Sequence, residues 1–484
     1  MRSRGVVQLV LALTVAAVAA ALAMPNLSPA QAAGNSFVGP SYPADAPDCF
    51  PVIKGVRQST GLVPQMWQAI AGLPVAVNGT PAPQRLVLGE RGQLADAEGV
   101  ASLLAACKLR PVTLTQLGRG KANGGEATLD AAVTASALPL NTQLVVASSM
   151  SKGWTGVIKA TAEACGIDMS KQTPRKKGPG ESGPTWPAGG CVISVSYGEP
   201  DIQVFRKSGP TNDTLRAIQM LDGLTSLGVV MVYSAGDEAS GGCSPNSHAR
   251  PSGLTSRFPS SHPGALAVGG TQWDTQAQSM ANGRSIAYTP GATYSQNVWK
   301  DTKDSRKCAN WPNPQAPTGA SGTGGGQSSY FALPAFQQSV VAANYPQNIG
   351  RRLTPDIAAL SEWPTYALIR NGKWELNGGT SAAAPSVAVG IVNVNAALSA
   401  RGLPVINNGG GVMDIHSIVY GSKYAAAFTD VTAGDNDLFD LQGSTVMPGY
   451  NNAVPAWQAL TGYDMASGMG VANFTTLAQL LSGR

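Results

Sequence analysis

Residues 378–385 read Gly-Gly-Thr-Ser-Ala-Ala-Ala-Pro, and an alanine-rich apolar stretch follows them up to about Leu398. Small residues before such a stretch predict a turn that opens a helix, so Ser381 should lie at a helix N-terminus. There the free backbone N–H groups and the positive end of the helix dipole favour negative charge. We expect Pro385 in the first helical turn, where a missing N–H costs little. Ser381 is therefore a candidate nucleophile, although such turns also open many helices without one.

The rest of the chain alternates between short apolar runs and helical patterns. Continuous apolar strands separated by helices are typical of a parallel sheet covered on both faces, so the predicted fold class is α/β. In such folds the functional side chains gather at the carboxyl ends of the strands. The predicted elements are strands at Leu144–Ser148, Val192–Ser196, Val229–Ser234 and Ala265–Gly269, and helices at Gly153–Cys165 and Asp213–Leu227.

The composition is that of a globular protein, because 43% of the 484 residues are hydrophobic and 13% are charged. The formal net charge of +5 is too small to indicate a nucleic-acid partner, and no basic stripe with interleaved aromatic residues occurs. The segment Lys171–Lys177 is basic, but its surroundings rich in proline and glycine indicate a solvated loop. We therefore expect no binding to nucleic acid.

The N-terminal segment Met1–Ala33 has the pattern of a secretory signal peptide. Arg2 and Arg4 precede the apolar run Val6–Met24, and small residues at Ala30-Gln31-Ala32 suit a cleavage site. The apolar run is also long enough to span a bilayer, so an uncleaved anchor remains an alternative. We expect a secreted protein with no stable membrane association after cleavage.

Cysteine usage fits an oxidising compartment. The cysteines form no Cys-x-x-Cys pair and no histidine stands at zinc spacing, which favours disulfides over metal ligation. Six cysteines allow many pairings, of which we predict the sequential one. The cysteines are Cys49, Cys107, Cys165, Cys191, Cys243 and Cys308.

Three acidic residues could serve a catalytic serine. Glu126 and Asp130 are four residues apart in a predicted helix that ends before Pro139, so they share a helix face. Two carboxyl groups that close interact, and one can hold a proton that orients and tunes the other. Asp237 follows the strand Val229–Ser234 in a glycine-containing turn and should point into the predicted cleft. The ordinary alternatives are a solvated helix face for the pair and an Asx-type turn for Asp237.

The order of these motifs resembles that of the sedolisins, the family of serine-carboxyl peptidases. A Glu-x-x-x-Asp pair, a Gly-Asp turn after a strand and a Gly-Thr-Ser-Ala-x-x-Pro segment supply Glu126, Asp130, Asp237 and Ser381. Each motif is weak alone, but their joint order is specific, and the resemblance runs from about Leu86 to the C-terminus. The intervening landmarks are Ser194–Gly198, Val268–Thr271, Gly324–Ser328 and Pro355–Ile357.

The resemblance implies a subtilisin-like fold in which Glu replaces the catalytic His and Asp replaces the oxyanion Asn. Ser381 would attack the peptide carbonyl, with Glu126 as general base and Asp130 as the residue that orients Glu126. Asp237, when protonated, would donate to the oxyanion. Because an unperturbed Glu has a pKa of about 4.3 and His of about 6.5, the optimum should be acidic.

The resemblance also implies a substrate segment. A protein or peptide substrate would pair as an extended strand along Ser196, Tyr197 and Gly198. Internal cleavage and removal of N-terminal tripeptides both stay open, as do the natural substrate and the subsite preferences. We expect the protein to be a monomer.

A calcium site near the C-terminus is a further implication of the resemblance. The family's Asp-(Ile/Val) pair corresponds to Asp430-Val431, and its later Gly-x-Asp to Gly462-Tyr463-Asp464. The Asp430 and Asp464 carboxylates, with the carbonyl groups of Val431, Leu460 and Gly462, would supply the oxygen ligands that Ca²⁺ prefers.

One departure from the family concerns the prodomain. The segment Gly34–Gly125 is too short for the family's large prodomain, so we expect residues 34–484 to form one peptidase domain without one. The departure keeps a second function open, namely a secreted, non-catalytic binding or scaffold protein on the same fold. The intact set of four predicted catalytic residues argues against it.

A conventional histidine-dependent subtilisin is disfavoured by the positions of the three histidines. His248 and His262 lie in segments rich in serine and proline, and His416 follows the candidate serine. We expect all three to be surface or loop residues.

Overall fold

The apolar runs of the sequence form the strands of one central, mostly parallel sheet in a computed structural model of the chain. Successive side chains of a strand point to opposite faces, so Leu86 and Leu88 pack into one core and Val87 into the other. Nine of the described strands follow one another across this sheet in the order Phe428–Thr429, Val471–Ala472, Ile357–Leu360, Ala265–Trp273, Val230–Ser234, Cys191–Val195, Gln84–Glu90, Thr142–Ser148 and Leu114–Gly118.

Two further strands extend the sheet at one side. Thr293–Val298 pairs antiparallel with the end of Ala265–Trp273, and Ser36–Val38 pairs antiparallel with Thr293–Val298. The structure describes residues 36–38, 44–53, 56–57, 61–123, 125–150, 153–174, 186–205, 208–239, 255–273, 293–301, 321–345, 350–362, 364–436 and 458–483. The predicted leader Met1–Ala33 lies outside these residues.

Helices cover both faces of the sheet, as the sequence predicted. Thr380–Ser399, Glu126–Ser136 and Ala97–Ala106 contribute to one core, and Trp154–Ala164 and Asn212–Ser226 to the other. The remaining helices of the described residues are Pro64–Ile70, Asp201–Val204, Gln338–Asn344, Ile415–Val419 and Phe474–Leu481, with 3₁₀ turns at Ala335–Gln337 and Ser422–Ala427.

Short strands form smaller sheets around the central one. These are Val52–Ile53 with Val56–Arg57, Gly61–Leu62 with Thr365–Arg370 and Lys373–Asn377, Gly92–Leu94 with Lys121–Asn123, Ile167–Asp168 with Thr173–Pro174, Glu199–Pro200 with Arg257–Phe258, Lys300–Asp301 with Ser321–Gly322, and Gly326–Ala332 with Arg351–Thr354.

The helix Thr380–Ser399 runs through the core next to the strands. It is long and apolar enough to cross a membrane, but 94% of its most apolar window is buried, as is usual for a core helix. The predicted extent of this helix is confirmed. The predicted place of Pro385 is wrong, because Pro385 is the sixth helical residue and lies beyond the first turn. A proline there leaves the carbonyl four residues earlier, that of Ser381, without its helical donor.

The strands and helices predicted from apolar runs are confirmed, with ends shifted by a few residues. The largest difference is the strand that begins at Ala265, which continues to Trp273 because its last residues pair with Thr293–Val298. The other seven described strands of the central sheet were not predicted, and they include Gln84–Glu90, Leu114–Gly118 and Ile357–Leu360.

Two disulfides agree with the predicted sequential pairing. Cys49 is bonded to Cys107, and Cys165 is bonded to Cys191. The predicted pair Cys243–Cys308 lies outside the described residues.

Candidate active site

Ser381 lies at the N-terminus of the buried helix, as predicted. It is the second helical residue and is half-buried. Gly379, the residue before the helix, has a φ of +93°, a left-handed conformation that glycine adopts without strain. A Cβ atom at Gly379 would also lie 2.6 Å from Asp237 Oδ2, so the close approach of Asp237 requires glycine here.

Asp237 contacts this helix N-terminus from the turn after the strand Val230–Ser234. Its Oδ1 atom accepts hydrogen bonds from the backbone N–H of Thr380 at 2.8 Å and from the Thr380 hydroxyl at 2.7 Å. The backbone N–H of Gly236 donates to the same hydroxyl at 3.1 Å. Asp237 therefore lies beside Thr380, the residue that precedes Ser381.

Asp130 is linked to Ser381 through Ser196. The Ser196 hydroxyl lies 2.7 Å from Asp130 Oδ2 and 3.2 Å from the carbonyl oxygen of Ser381, the group that Pro385 leaves without a helical donor. In the other direction, the Ser381 hydroxyl donates to the backbone carbonyl of Ser196 at 3.2 Å. Ser196 ends the buried part of its segment and is itself only 7% exposed.

Glu126 and Asp130 lie on one helix, as predicted, and the structure adds a third acid. Glu126 is the first residue of Glu126–Ser136, and Asp130 is fully buried one turn later. Glu90, at the end of the strand Gln84–Glu90, is 1% exposed and hydrogen-bonds to Asp130. Sequence reasoning missed Glu90; the available signal was a lone acid at the carboxyl end of a buried strand.

The three acids strongly affect one another. Burial raises the pKa of Asp130 well above its usual range, and the negative charges of Glu90 and Glu126 raise it further. Burial, followed by the charge of Glu126, likewise raises the pKa of Glu90. Because like charges cannot all ionise in a buried cluster, the group holds protons well above the pH at which free carboxyls lose them.

The predicted substrate segment lies next to this cluster. Tyr197 stacks on Trp154 with ring centroids 5.7 Å apart, and the guanidinium carbon of Arg91 lies 4.6 Å from the Tyr197 ring. Gly198 is half-buried and its carbonyl oxygen accepts a hydrogen bond from Arg257.

Two of the three histidines lie among the described residues, and both are buried. The predicted loop position holds for His262, which lies between two strands, whereas His416 lies in the helix Ile415–Val419. His262 contacts Asp222 through Nε2 at 3.1 Å, and His416 contacts the carbonyl oxygen of Ala265 at 3.1 Å. Neither bond involves Ser381. His248 lies outside the described residues.

The predicted calcium ligands also come together. Asp430 accepts a hydrogen bond from the backbone N–H of Gly462 at 2.8 Å, and Asp464 accepts one from that of Leu460 at 2.8 Å. Val431 is joined to Asp464 through Ser467, whose hydroxyl contacts the Val431 carbonyl at 3.3 Å and Asp464 Oδ1 at 3.1 Å.

The chemistry of this donor set fits a hard cation. Asp430 Oδ1 is buried and has no hydrogen-bond partner among the described residues. Burial raises the pKa of Asp464 to about 7 and also raises the pKa of Asp430. Two partly or fully buried carboxyls with an unpaired oxygen fit an oxygen-ligated ion such as Ca²⁺. No cluster of three or more acid, histidine or cysteine side chains suited to a metal occurs in the described part of the chain, so the carbonyls are essential to the predicted set.

Comparison with protein families decides the classification. A model described as the subtilase family matches residues 145–400, which is more than half of the chain. The chain belongs to the subtilase family. The matched segment contains Ser196, Asp237 and Ser381, and the helix that carries Glu126 and Asp130 precedes it.

Similar proteins narrow the classification to the sedolisins. The chain is 28% identical over 315 residues to tripeptidyl-peptidase sed4 of Aspergillus fumigatus, covering 60% of this chain and 43% of that protein. It is 26% identical over 306 residues to physarolisin of Physarum polycephalum, covering 59% and 48% respectively. The chain thus matches less than half the length of each. These relatives confirm the predicted resemblance to the sedolisin family.

Among solved structures, the fold is similar to that of Pseudomonas sedolisin, described as a serine-carboxyl proteinase in complex with two molecules of pseudo-iodotyrostatin. The TM-score is 0.59 at 21% identity, and the match covers 84% of this chain and 94% of that one. The predicted subtilisin-like fold is confirmed.

Proposed function

We propose that the protein is a secreted serine-carboxyl peptidase that hydrolyses peptide bonds at acid pH. One observation carries the proposal: a buried acid cluster and a carboxyl at the helix N-terminus converge on Ser381 from separate elements. Asp130 reaches Ser381 through Ser196, and Asp237 reaches it through Thr380.

Ser381 is the nucleophile in the proposed mechanism. Its hydroxyl donates to the Ser196 carbonyl in the resting enzyme and turns to Glu126 when substrate enters. Hydrogen bonds between catalytic groups often form fully only in the substrate complex. Glu126 removes the hydroxyl proton as Ser381 bonds to the scissile carbonyl carbon, and then returns the proton to the leaving amine.

Asp130 assists the general base, and Asp237 stabilises the oxyanion. Asp130 shares a proton with Glu126 and orients it, which the raised pKa of Asp130 favours. Asp237 holds a proton and donates it as a hydrogen bond to the oxyanion, beside the backbone N–H of Ser381. Since Asp237 Oδ1 already accepts two hydrogen bonds from Thr380, the proton belongs on Oδ2.

The predicted calcium site would stabilise the fold. Asp430, Asp464 and the carbonyls of Val431, Leu460 and Gly462 would hold the ion, which supplies positive charge to two carboxyls that burial otherwise penalises. Its contribution is to folding stability, by binding only the folded state.

The test is peptidase activity of the purified protein on denatured protein and on peptides between acid and neutral pH. Ser381→Ala and Glu126→Gln should each abolish activity without changing the melting curve, because the groups act as one unit. Turnover like that of the wild type in either variant contradicts the mechanism. A folded wild-type protein that binds peptides but cleaves none at any pH would instead indicate the non-catalytic binding protein.

A further inference from the structure

Arg257 connects two segments that flank Ser381. Its Nη2 atom donates to the carbonyl oxygen of Gly198, and its Nη1 atom donates to Glu238 Oε2. Only 12% of each of the two charged side chains is exposed. Charge-assisted hydrogen bonds are strong where water is largely excluded, so this pair ties the two segments firmly together.

Glu238 extends the connection to the predicted oxyanion donor. Its Oε2 atom also accepts a hydrogen bond from the backbone N–H of Asp237 at 3.1 Å. The Asp237 side chain in turn holds the backbone of Thr380, next to Ser381. A continuous series of polar contacts therefore runs from Gly198, through Arg257 and Glu238, to the helix N-terminus.

The aliphatic part of Arg257 is packed between the same two segments. A Cβ atom at Gly236 would lie 2.2 Å from Arg257 Cδ, and one at Gly198 would lie 3.4 Å from Arg257 Cβ. Gly236 also has a φ of +103°, which glycine alone adopts without strain. Arg257 thus sets the spacing of the two segments by its bulk as well as by its hydrogen bonds.

We propose, building on the function given above, that Arg257 and Glu238 are positioning residues for catalysis. They hold the Asp237 turn and the Gly198 segment at the separation that the oxyanion and the substrate strand require. A misplacement of about 1 Å can cost about 100-fold in rate, so a brace of this kind has a measurable effect on catalysis. We call the Arg257–Glu238 pair with its bonds to Gly198 and Asp237 the Arg257 brace.

The central experiment is a double-mutant cycle between Arg257→Met and Asp237→Ala, with kcat and KM measured on one peptide. Arg257→Met should lower kcat about 10-fold or more by misplacing Asp237, and should raise KM through Gly198. In the Asp237→Ala background, Arg257→Met should lower kcat less than about 2-fold, because the group it positions is gone, while the KM effect persists. If Arg257→Met lowers kcat by the same factor in both backgrounds, Arg257 does not act by positioning Asp237.

Two variants separate positioning from loss of folding. Arg257→Met alone leaves the Glu238 charge buried and unpaired, whereas Arg257→Met with Glu238→Gln does not. The double variant should recover the melting temperature but not kcat. Arg257→Lys, which can serve only one of the two acceptors at a time, should restore part of kcat. Recovery of kcat along with stability contradicts a positioning role.

The control is Lys300→Met. Lys300 pairs with Asp435 at 2.7 Å and is similarly shielded, with 18% and 23% of the two side chains exposed. Its loss should lower the melting temperature and leave kcat and its dependence on Asp237 unchanged. An equal kcat loss in Lys300→Met would show that any lost ion pair has this effect, and would overturn the brace.

A second readout does not depend on activity. Hydrogen exchange should be faster in Arg257→Met than in the wild type for peptides that cover 196–198 and 235–239, with the helix Thr380–Ser399 unchanged beyond its first turn. Unchanged exchange in both peptides overturns the brace. If the wild type cleaves no peptide at any pH, the proposed function fails, and the exchange measurement still decides whether the brace exists.

Discussion

The hydroxyl of Ser196 lies 2.7 Å from Asp130 Oδ2 and joins two residues that are 66 positions apart in the sequence. The same hydroxyl is 3.2 Å from the Ser381 carbonyl. A serine hydroxyl has one proton to donate. That proton reaches either Asp130 Oδ2 or the Ser381 carbonyl, so a single hydroxyl connects the acid cluster with the first turn of the helix that carries Ser381.

Ser196→Ala tests this relationship. It leaves the Ser381 carbonyl without a donor and removes the partner of Asp130, so we expect kcat to fall about 10-fold, as for about 1–1.5 kcal/mol of lost hydrogen bonding. KM should change little. Ser386→Ala is the control, because the Ser386 hydroxyl bonds to the Ala383 carbonyl within the same helix. Equal kcat losses in the two variants would assign Ser196 to helix stability alone.

Asp237 should control the high-pH limit of activity. A carboxyl supports an oxyanion only while it holds a proton, so activity should fall as Asp237 loses its proton on raising the pH. Asp237→Asn keeps a donor that cannot ionise, and should lose some rate at acid pH while its high-pH limb moves upward. Asp237→Ala should lose about 100-fold or more. The measurement is a pH–rate profile of the three proteins, and near-full activity of Asp237→Ala at every pH would make Asp237 only a turn residue.

The parts of the site that sequence could predict are those with a local signature. Ser381 opens a helix, Asp237 lies in the turn after a strand, and Glu126 and Asp130 are one helical turn apart, so each follows from a few neighbouring residues. Glu90 has no such partner in its own strand and joins Asp130 only because the sheet and the helix pack together. The link between Ser196 and Asp130 depends on tertiary packing in the same way.

The strands that could be predicted from the sequence also have a local signature. The four predicted strands are buried and read as continuous apolar runs. Gln84–Glu90 is equally buried, but polar residues at both ends shorten its apolar run, and Leu114–Gly118 lies at the sheet edge with three of its five residues exposed. The misplacement of Pro385 has a tertiary cause. The carbonyl that proline leaves unpaired finds its donor in Ser196, on another segment, so a proline beyond the first turn is tolerated.

Glu90→Gln should move the high-pH limb in the direction opposite to Asp237→Asn. The charge of Glu90 raises the pKa of Asp130, so replacing Glu90 by the neutral Gln lowers that pKa. If Asp130 must share a proton with Glu126, activity should then fall at lower pH than in the wild type. The pH–rate profile of Glu90→Gln measures the shift, with Glu163→Gln on the exposed face of Trp154–Ala164 as control. If the high-pH limb of Glu90→Gln coincides with that of the wild type, Glu90 does not influence the reaction.

Calcium should raise the melting temperature of the protein. A ligand that binds only the folded state adds about 2.7 kcal/mol at 100 times its dissociation constant. Chelation should therefore lower the melting temperature, and Asp464→Ala or Asp430→Asn should remove the response to added calcium. Asp168→Asn, at a half-buried acid paired with Lys171 far from this donor set in sequence, should keep it. Calorimetric titration of the chelated protein with calcium gives the stoichiometry. A melting temperature that changes with neither chelator nor calcium would contradict the calcium site.

Folding stability should fall as the pH rises from about 4 to 7, and Asp201 should account for part of the loss. Asp201 is fully buried, and its two carboxyl oxygens accept hydrogen bonds from Ser261 and Ser328 at 2.7 and 2.6 Å. Burial nevertheless raises its pKa from 3.8 to about 6. The folded state then binds more protons than the unfolded state between these two pH values, so stability is greatest below the lower one and is lost as the pH rises through the higher one.

The size of the Asp201 effect follows from its pKa shift. A shift of about two units corresponds to about 2 kcal/mol of unfolding free energy lost on going from pH 4 to pH 7. Asp201→Asn cannot ionise, so its stability should change less over this interval by about that amount. Urea unfolding at several pH values, in a constant excess of calcium to keep Asp430 and Asp464 occupied, measures the difference. If wild type and Asp201→Asn lose stability in parallel, Asp201 holds no proton in the folded protein at acid pH.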